Sequence, residues 1–276
     1  VEVLSPIDYT VSKKAFPIRS CSDCGFWWTS SIPLETEIGA YYQSEDYVSH
    51  SNSSKGLINF LYLKVRSFTL KQKMRWIHKR IKRGTLLDVG SGTGHFLKQA
   101  KIAGWNVCGL EPDENARKIA KSTNALDLQP IESLYHLENG SFDVVTMWHV
   151  LEHVYQLEKD VNQLSKLIKS GGFIYIAVPN RNSYDAKHYG AEWAAYDVPR
   201  HLYHFRADDV IAIMERNQLT YCETIPMRFD SYYVAMLSEK IKGGSFLKAL
   251  WIGFMSNRKA KQYGFSSQVY VFRKTQ

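Results

Sequence analysis

Short apolar runs alternate with segments whose apolar positions recur at helical spacing, from about residue 86 to the end of the chain. The runs at 86–89, 106–110, 141–148, 173–178, 219–226 and 267–272 predict buried strands, with a shorter one at 125–128. Residues 95–103 and 207–217 carry helical patterns between them. This alternation predicts an α/β fold around a mostly parallel sheet, with ligands at the carboxyl ends of its strands. Ahead of it, Leu57, Ile58, Leu61, Tyr62, Val65 and Phe68, then Met74, Ile77 and Ile81, predict two amphipathic helices with a phase break near Leu70. Before the last strand, Tyr232, Tyr233, Ala235, Met236 and Leu237, then Phe246, Leu247, Leu250, Trp251, Phe254 and Met255, predict two more. These carry too much apolar surface to stand free; core packing, a dimer contact and a lid over a hydrophobic ligand each account for it. The chain thus divides into an N-terminal extension (1–54), a basic helical segment (55–83) and a main domain (84–276) with a helical insertion at about 231–262.

Composition sets bounds. With 276 residues, 45% hydrophobic and 22% charged, the chain suits one domain of about 200 residues plus a smaller element. No apolar run reaches the ~20 residues that span a bilayer, and no signal peptide leads the chain. Val1 in place of an initiator methionine reads as a fragment of a longer product. Of four cysteines, Cys108 and Cys222 fall in strands and read as buried thiols, not as a disulfide framework. Charge is more informative. Between Tyr47 and Leu87 there is no acidic residue, while Lys55, Lys64, Arg66, Lys71, Lys73, Arg75, Lys79, Arg80, Lys82 and Arg83 supply ten positive charges in a chain of net charge +8. A solvated helix face is the default reading; a surface for a phosphate-bearing substrate, anionic lipid or RNA is the functional one.

The chemistry centres on Asp88-Val89-Gly90-Ser91-Gly92-Thr93-Gly94, a strand running into a glycine turn and a helix, followed by Glu111 at the tip of the next strand. Glycines there admit a ligand close to the backbone, and a carboxylate at the second strand's tip can take both ribose hydroxyls. A dinucleotide fingerprint needs its third glycine three positions after the second, where this chain has His95, so NAD is disfavoured. The loop, with an acid two residues before the first glycine, resembles the first motif of class I S-adenosylmethionine-dependent methyltransferases. Phe142-Asp143-Val144-Val145 followed by Val150-Leu151-Glu152-His153-Val154 resembles another segment of that superfamily. The resemblance implies a Rossmann-like seven-stranded sheet of order 3-2-1-4-5-7-6 with its last strand antiparallel. It places S-adenosylmethionine against Asp88, Gly90, Ser91, Gly92, Gly94, Glu111, Pro112, Ile131, Glu132, Trp148, His149 and His153. Because that cofactor is made in the cytosol, the expected location is cytoplasmic.

Two further segments resemble a bacterial group of these enzymes found among polysaccharide- and sugar-modifying proteins. Cys21-Ser22-Asp23-Cys24-Gly25 has the spacing of one knuckle of a zinc ribbon; the second pair would precede Val1, so zinc is expected only in a longer chain, and two free thiols in a surface turn are the plain alternative. Trp193 through Phe205 resembles that group's acceptor-side loop, in which Tyr196, Arg200 and His201 are the expected substrate contacts, with His201 as general base and Arg200 as an anion contact. His149 and His153, at i, i+4 spacing, are read as sharing one helix face, with His149 near the transferring methyl and His153 holding the helix. The surrounding residues partly resemble the Glu-x-x-Glu-His metal-assisted site of ubiquinone-pathway O-methyltransferases, but His149 replaces the first Glu, so no divalent metal is expected. The function expected is O- or C-methylation of a small molecule, with sugar or glycan intermediates first. The alternatives are an RNA methyltransferase, against which Met147-Trp148-His149-Val150 replaces the Asp/Asn-Pro-Pro-Tyr type motif, and a non-catalytic cofactor-binding scaffold.

Overall fold

The computed structural model describes residues 1–42 and 57–275. Lys55, the side chains of Leu57, Ile58, Leu61, Tyr62 and Lys64, and the boundary expected at 54/55 lie outside the described residues.

The main sheet has six strands: β4 (Thr85–Val89), β5 (Asn106–Leu110), β6 (Phe142–Trp148), β7 (Ile168–Pro179), β9 (Leu219–Pro226) and β10 (Ser267–Lys274). They lie side by side as β5-β4-β6-β7-β10-β9. β5, β4, β6 and β7 are mutually parallel, whereas β10 runs antiparallel to both neighbours. The expected third strand is the departure from seven: only Gln129 makes a bridge, to Leu110, before Pro130 removes the next donor. Leu126 and Leu128 are nevertheless buried, so the apolar run packs without forming a ladder.

Helices cover both faces. α2 (His95–Ile102) and α3 (Glu114–Asn124) join Met74 and Ile77 of α1 (Leu57–His78) over one face, around Leu86, Leu97, Trp105, Val144 and Tyr175. On the other, α4 (Leu157–Leu167) and α6 (Ala207–Arg216) bury Val161, Leu164, Val210 and Met214 against Val145, Ile174 and Phe272. The two helices expected on either side of Leu70 are one, because Leu57–His78 contains neither glycine nor proline and the backbone simply continues.

At the N-terminus β1 (Glu2–Leu4), β2 (Ile18–Ser20) and β3 (Trp27–Thr29) form a small antiparallel sheet completed by β8 (Tyr203–His204), which belongs to the 193–205 loop. The insertion contains α7 (Asp230–Lys242), α8 (Phe246–Arg258) and the short α9 (Ala260–Tyr263). Val234, Ala235, Ala249 and Ile252 share a third apolar cluster with Phe16, Tyr189 and Trp193. α5 (Tyr184–Tyr189) links this cluster to β7. No described helix is long and apolar enough to cross a membrane.

Candidate functional site

β4 leaves the sheet at Val89 and turns through glycines held at φ +71 (Gly90), +55 (Gly92) and +79 (Gly94) before α2 begins. A Cβ at Gly90 would stand 2.4 Å from Val150, while beside Gly92 there is open space within 4 Å. The first glycine is therefore demanded by packing, and the second leaves bare backbone beside an open volume. Glu111, the residue after β5, fixes this loop: its Oε2 accepts the Gly92 N–H at 2.7 Å and its Oε1 the Asp113 N–H at 3.0 Å. The amides of Gly90 and Ser91 both donate to Leu110 O. Burial pushes the Glu111 carboxyl above its ordinary range, although those two amides pull the other way.

The other residues assigned to the cofactor collect at the same end of the sheet. Asp88 is buried, accepts the Thr146 hydroxyl at 2.6 Å, and is pushed up to about 7 by burial. Ser91 Oγ donates to Asp88 O. Pro112 O accepts Arg117 Nη1, and Gln129 bonds both Gly109 and Glu111, which brings Ile131 and the exposed Glu132 up to the tip of β5. At the end of β6, Trp148 meets Phe96 edge-on at 5.3 Å and lies under the Lys73 ammonium at 4.1 Å. The indole Nε1 of Trp148 is buried without a hydrogen-bond partner. Lys73 is pushed down to about 8 by burial, against the attraction of Asp88 and Asp230. Lys73 also lines a cavity with Gln72, Trp76, Phe229 and Asp230. Neither Lys73 nor Asp230 was anticipated: Lys73 is one of ten similar cations, although Asp230, just past the end of β9, stands where ligands gather in such sheets.

The histidines differ from expectation. His149 and His153 do not share a helix: His149 leaves β6 with φ +59, and only the 3-10 turn Leu151–His153 follows. That left-handed backbone puts the His149 ring between Asp230 Oδ2 at 3.2 Å and Glu152 Oε1 at 3.3 Å. Burial would lower its pKa, but the two carboxylates outweigh burial and hold it at about 9. His149 is thus an imidazolium near neutral pH and cannot take up a proton there. His153 is instead pushed down to about 4 by burial and by His201, and its Nδ1 lies 2.9 Å from Arg200 O and 3.0 Å from the Tyr42 hydroxyl. Neutral and held by a carbonyl, it anchors the turn.

Glu152, His153 and His201 bring one carboxylate and two imidazoles together with ligand atoms within 4.8 Å of one another, a set that could hold a divalent cation. Glu152 is 1% exposed and its carboxylate pairs with the His149 ring at 3.3 Å. His201 turns Nδ1 to Ala195 O at 2.9 Å, which leaves the lone pair on Nε2, with Asp197 Oδ2 3.9 Å away.

Two of the expected substrate contacts in the 193–205 loop are already engaged within the protein. Arg200, 2% exposed, spends its guanidinium on Asp8, Asp197 and Tyr41 O, and so cannot grip an incoming anion. Tyr196 is packed edge-on against Trp193 and His204 at 5.0 and 5.2 Å, and burial raises its phenol pKa. In the N-terminal turn Gly25 N donates to Cys21 O, and the amides of Cys24 and Asp23 lower the Cys21 thiol pKa. Among the described residues no third ligand joins Cys21 and Cys24 in a metal-sized cluster.

Comparison with known proteins agrees with this architecture. Residues 64–224, more than half of the chain, match the family described as "Methyltransferase domain". A ubiquinone biosynthesis O-methyltransferase of Nitrosomonas europaea is 34% identical over 125 residues, 42% of this chain and 53% of that enzyme. The chain thus spans about half the length of the curated relatives it matches. Two solved structures share the fold. A SAM-dependent methyltransferase from Archaeoglobus fulgidus superposes with TM-score 0.53 at 20% identity, covering 78% of this chain and 99% of the other. The Haemonchus contortus phosphoethanolamine N-methyltransferase 2 bound to S-adenosyl-L-methionine gives 0.53 at 18% identity, over 75% and 53%.

Proposed function

The chain belongs to the methyltransferase-domain family, and on that premise we propose that it transfers a methyl group from S-adenosylmethionine to a hydroxyl of a small molecule. The observation that carries the reading is the Glu111 carboxylate, bonded to Gly92 N at the tip of β5 beside open space. A carboxylate there can take the ribose hydroxyls, and the unpartnered Trp148 N–H supplies a donor for a polar group of the ligand. When bound, S-adenosylmethionine supplies an electrophilic methyl on its sulfonium. The protein's part is to align the acceptor, exclude water and remove one proton.

His201 is our candidate base, because its Nδ1 faces Ala195 O and its Nε2 is left to accept. The buried Glu152 carboxylate beside it, shared with His149, stabilises the imidazolium that forms. His149, already charged, holds α7 through Asp230 at the mouth of the cleft. Relatives named as O-methyltransferases in ubiquinone biosynthesis favour oxygen over carbon as the acceptor atom and lend nothing to a sugar. The test is to incubate labelled S-adenosylmethionine with fractionated extract of the source organism and follow the label. Methyl transfer to a small hydroxylated compound is expected; label in RNA, or none in any pool, would overturn the reading.

A further inference from the structure

α8 is amphipathic in the wrong sense for a helix on a protein surface. Ala249, Ile252, Gly253 and Ser256 face inward, whereas Phe246 (61% exposed), Leu247 (77%), Leu250, Trp251 (60%) and Phe254 face out. At 100° per residue those five occupy one continuous stripe. The stripe is bordered by cations: after Glu239 the chain carries no acidic residue, Lys248, Arg258, Lys259 and Lys261 fall on α8 or just past it, and Lys240 and Lys242 end α7. Lys242 and Lys248 are paired to Glu192 and Glu239. Large apolar side chains bordered by lysine and arginine are the pattern of a helix lying in the headgroup region of a negatively charged bilayer.

We propose that α8 docks this protein on an anionic lipid surface. A second copy fits less well. The five side chains, of about 150–250 Å² each when aromatic, leave on the order of 500 Å² exposed. A stable pair buries about 800 Å² on each partner, and a two-fold contact would also set two cationic segments against each other. The location gives the docking a purpose. Asn257 Nδ2 donates to Arg228 O and Ser231 Oγ to Gly253 O, so the last turns of α8 are tied to the segment carrying Phe229. Phe229 lines the Lys73–Asp230 cavity and, 43% exposed, meets the exposed Phe68 ring at 5.7 Å. A bilayer under α8 therefore lies close to an apolar rim of the cleft, where a lipid-soluble acceptor can enter without crossing water.

Co-sedimentation tests this without turnover, so its outcome is separate from that of methyl transfer. Vesicles of phosphatidylglycerol and phosphatidylcholine in equal parts should pellet the protein at low salt, pure phosphatidylcholine vesicles much less, and 0.5 M salt should release most of it. The exposed triple variant Phe246→Ser, Leu247→Ser, Trp251→Ser should keep the wild-type melting temperature and lose vesicle binding 10-fold or more. Equal partition of wild type and variant, no binding to either vesicle, or a wild-type dimer that the variant turns into a monomer would each overturn the proposal.

Discussion

Glu111→Gln separates two jobs done by one side chain. Each carboxylate oxygen now accepts a backbone amide, from Gly92 at 2.7 Å and Asp113 at 3.0 Å, and both retain lone pairs for ribose hydroxyls. Glutamine keeps one acceptor oxygen and sets an NH₂ donor against the other amide. The loop then loses one charge-assisted bond, about 1.5–3 kcal/mol, and a bound ribose loses its charged acceptor, of similar size. The second loss corresponds to about a 10- to 150-fold weaker Kd for S-adenosylhomocysteine, read by titration calorimetry. Asn124→Ala is the control, because Asn124 Nδ2 holds the same loop through Thr93 O at 2.7 Å without touching Glu111. If Glu111→Gln binds within twofold of wild type, Glu111 is not the ribose acceptor. If the two variants lose affinity equally, it acts only by holding the loop.

Other outcomes follow from the same geometry. Asp8→Asn should destabilise the protein to urea by about 3–5 kcal/mol, the cost of breaking a buried ion pair, since Asp8 is 1% exposed against Arg200. Because the hydroxyls and amides of residues 10–12 and Arg200 outweigh burial and hold Asp8 far below the usual carboxylate range, its contribution is complete above about pH 4 and is lost only as pH falls toward the folded value. The variant should lack that acid slope. His149, raised to about 9, stabilises the fold fully below its unfolded pKa near 6.5 and progressively less as pH climbs through 9; melting curves of His149→Gln between pH 6 and 10 should be correspondingly flatter. His201→Ala should keep wild-type affinity for S-adenosylhomocysteine while turnover drops ~10²-fold or more; normal turnover would place the proton elsewhere.

What the sequence showed plainly was local. β4, the glycine turn, α2 and Glu111 fall within one short stretch, and strand period, glycine placement and a terminal carboxylate can each be read without distant partners. Where one interaction decides against a local pattern, the sequence misleads. Residues 125–128 are apolar enough for a strand, yet Pro130 ends the pairing after one bridge. The spacing of His149 and His153 is that of a helix, but the segment is the end of β6, and a left-handed residue sends the first ring toward Asp230, 81 positions away. Arg200 looks like a free anion binder until Asp8, 192 positions earlier, is folded against it.

The same long-range contacts explain why the N-terminal sheet matters to a site it does not line. β3 pairs with β8 through Trp27 and Trp28, Thr29 Oγ1 donates to His201 O at 2.7 Å, and Thr29 N donates to Leu202 O. Leu202 N in turn donates to Glu152 O at 2.7 Å. His201 and Glu152 are therefore placed by a chain of backbone bonds anchored in the first thirty residues, with Asp8–Arg200 as the buried clamp beside it. The glycine turn and Glu111 sit on β4 and β5 with none of these contacts. The fold thus positions the cofactor end of the cleft from the main sheet and the candidate base from the N-terminal one, and the two meet where Val150, at the start of the Glu152 turn, packs on Gly90.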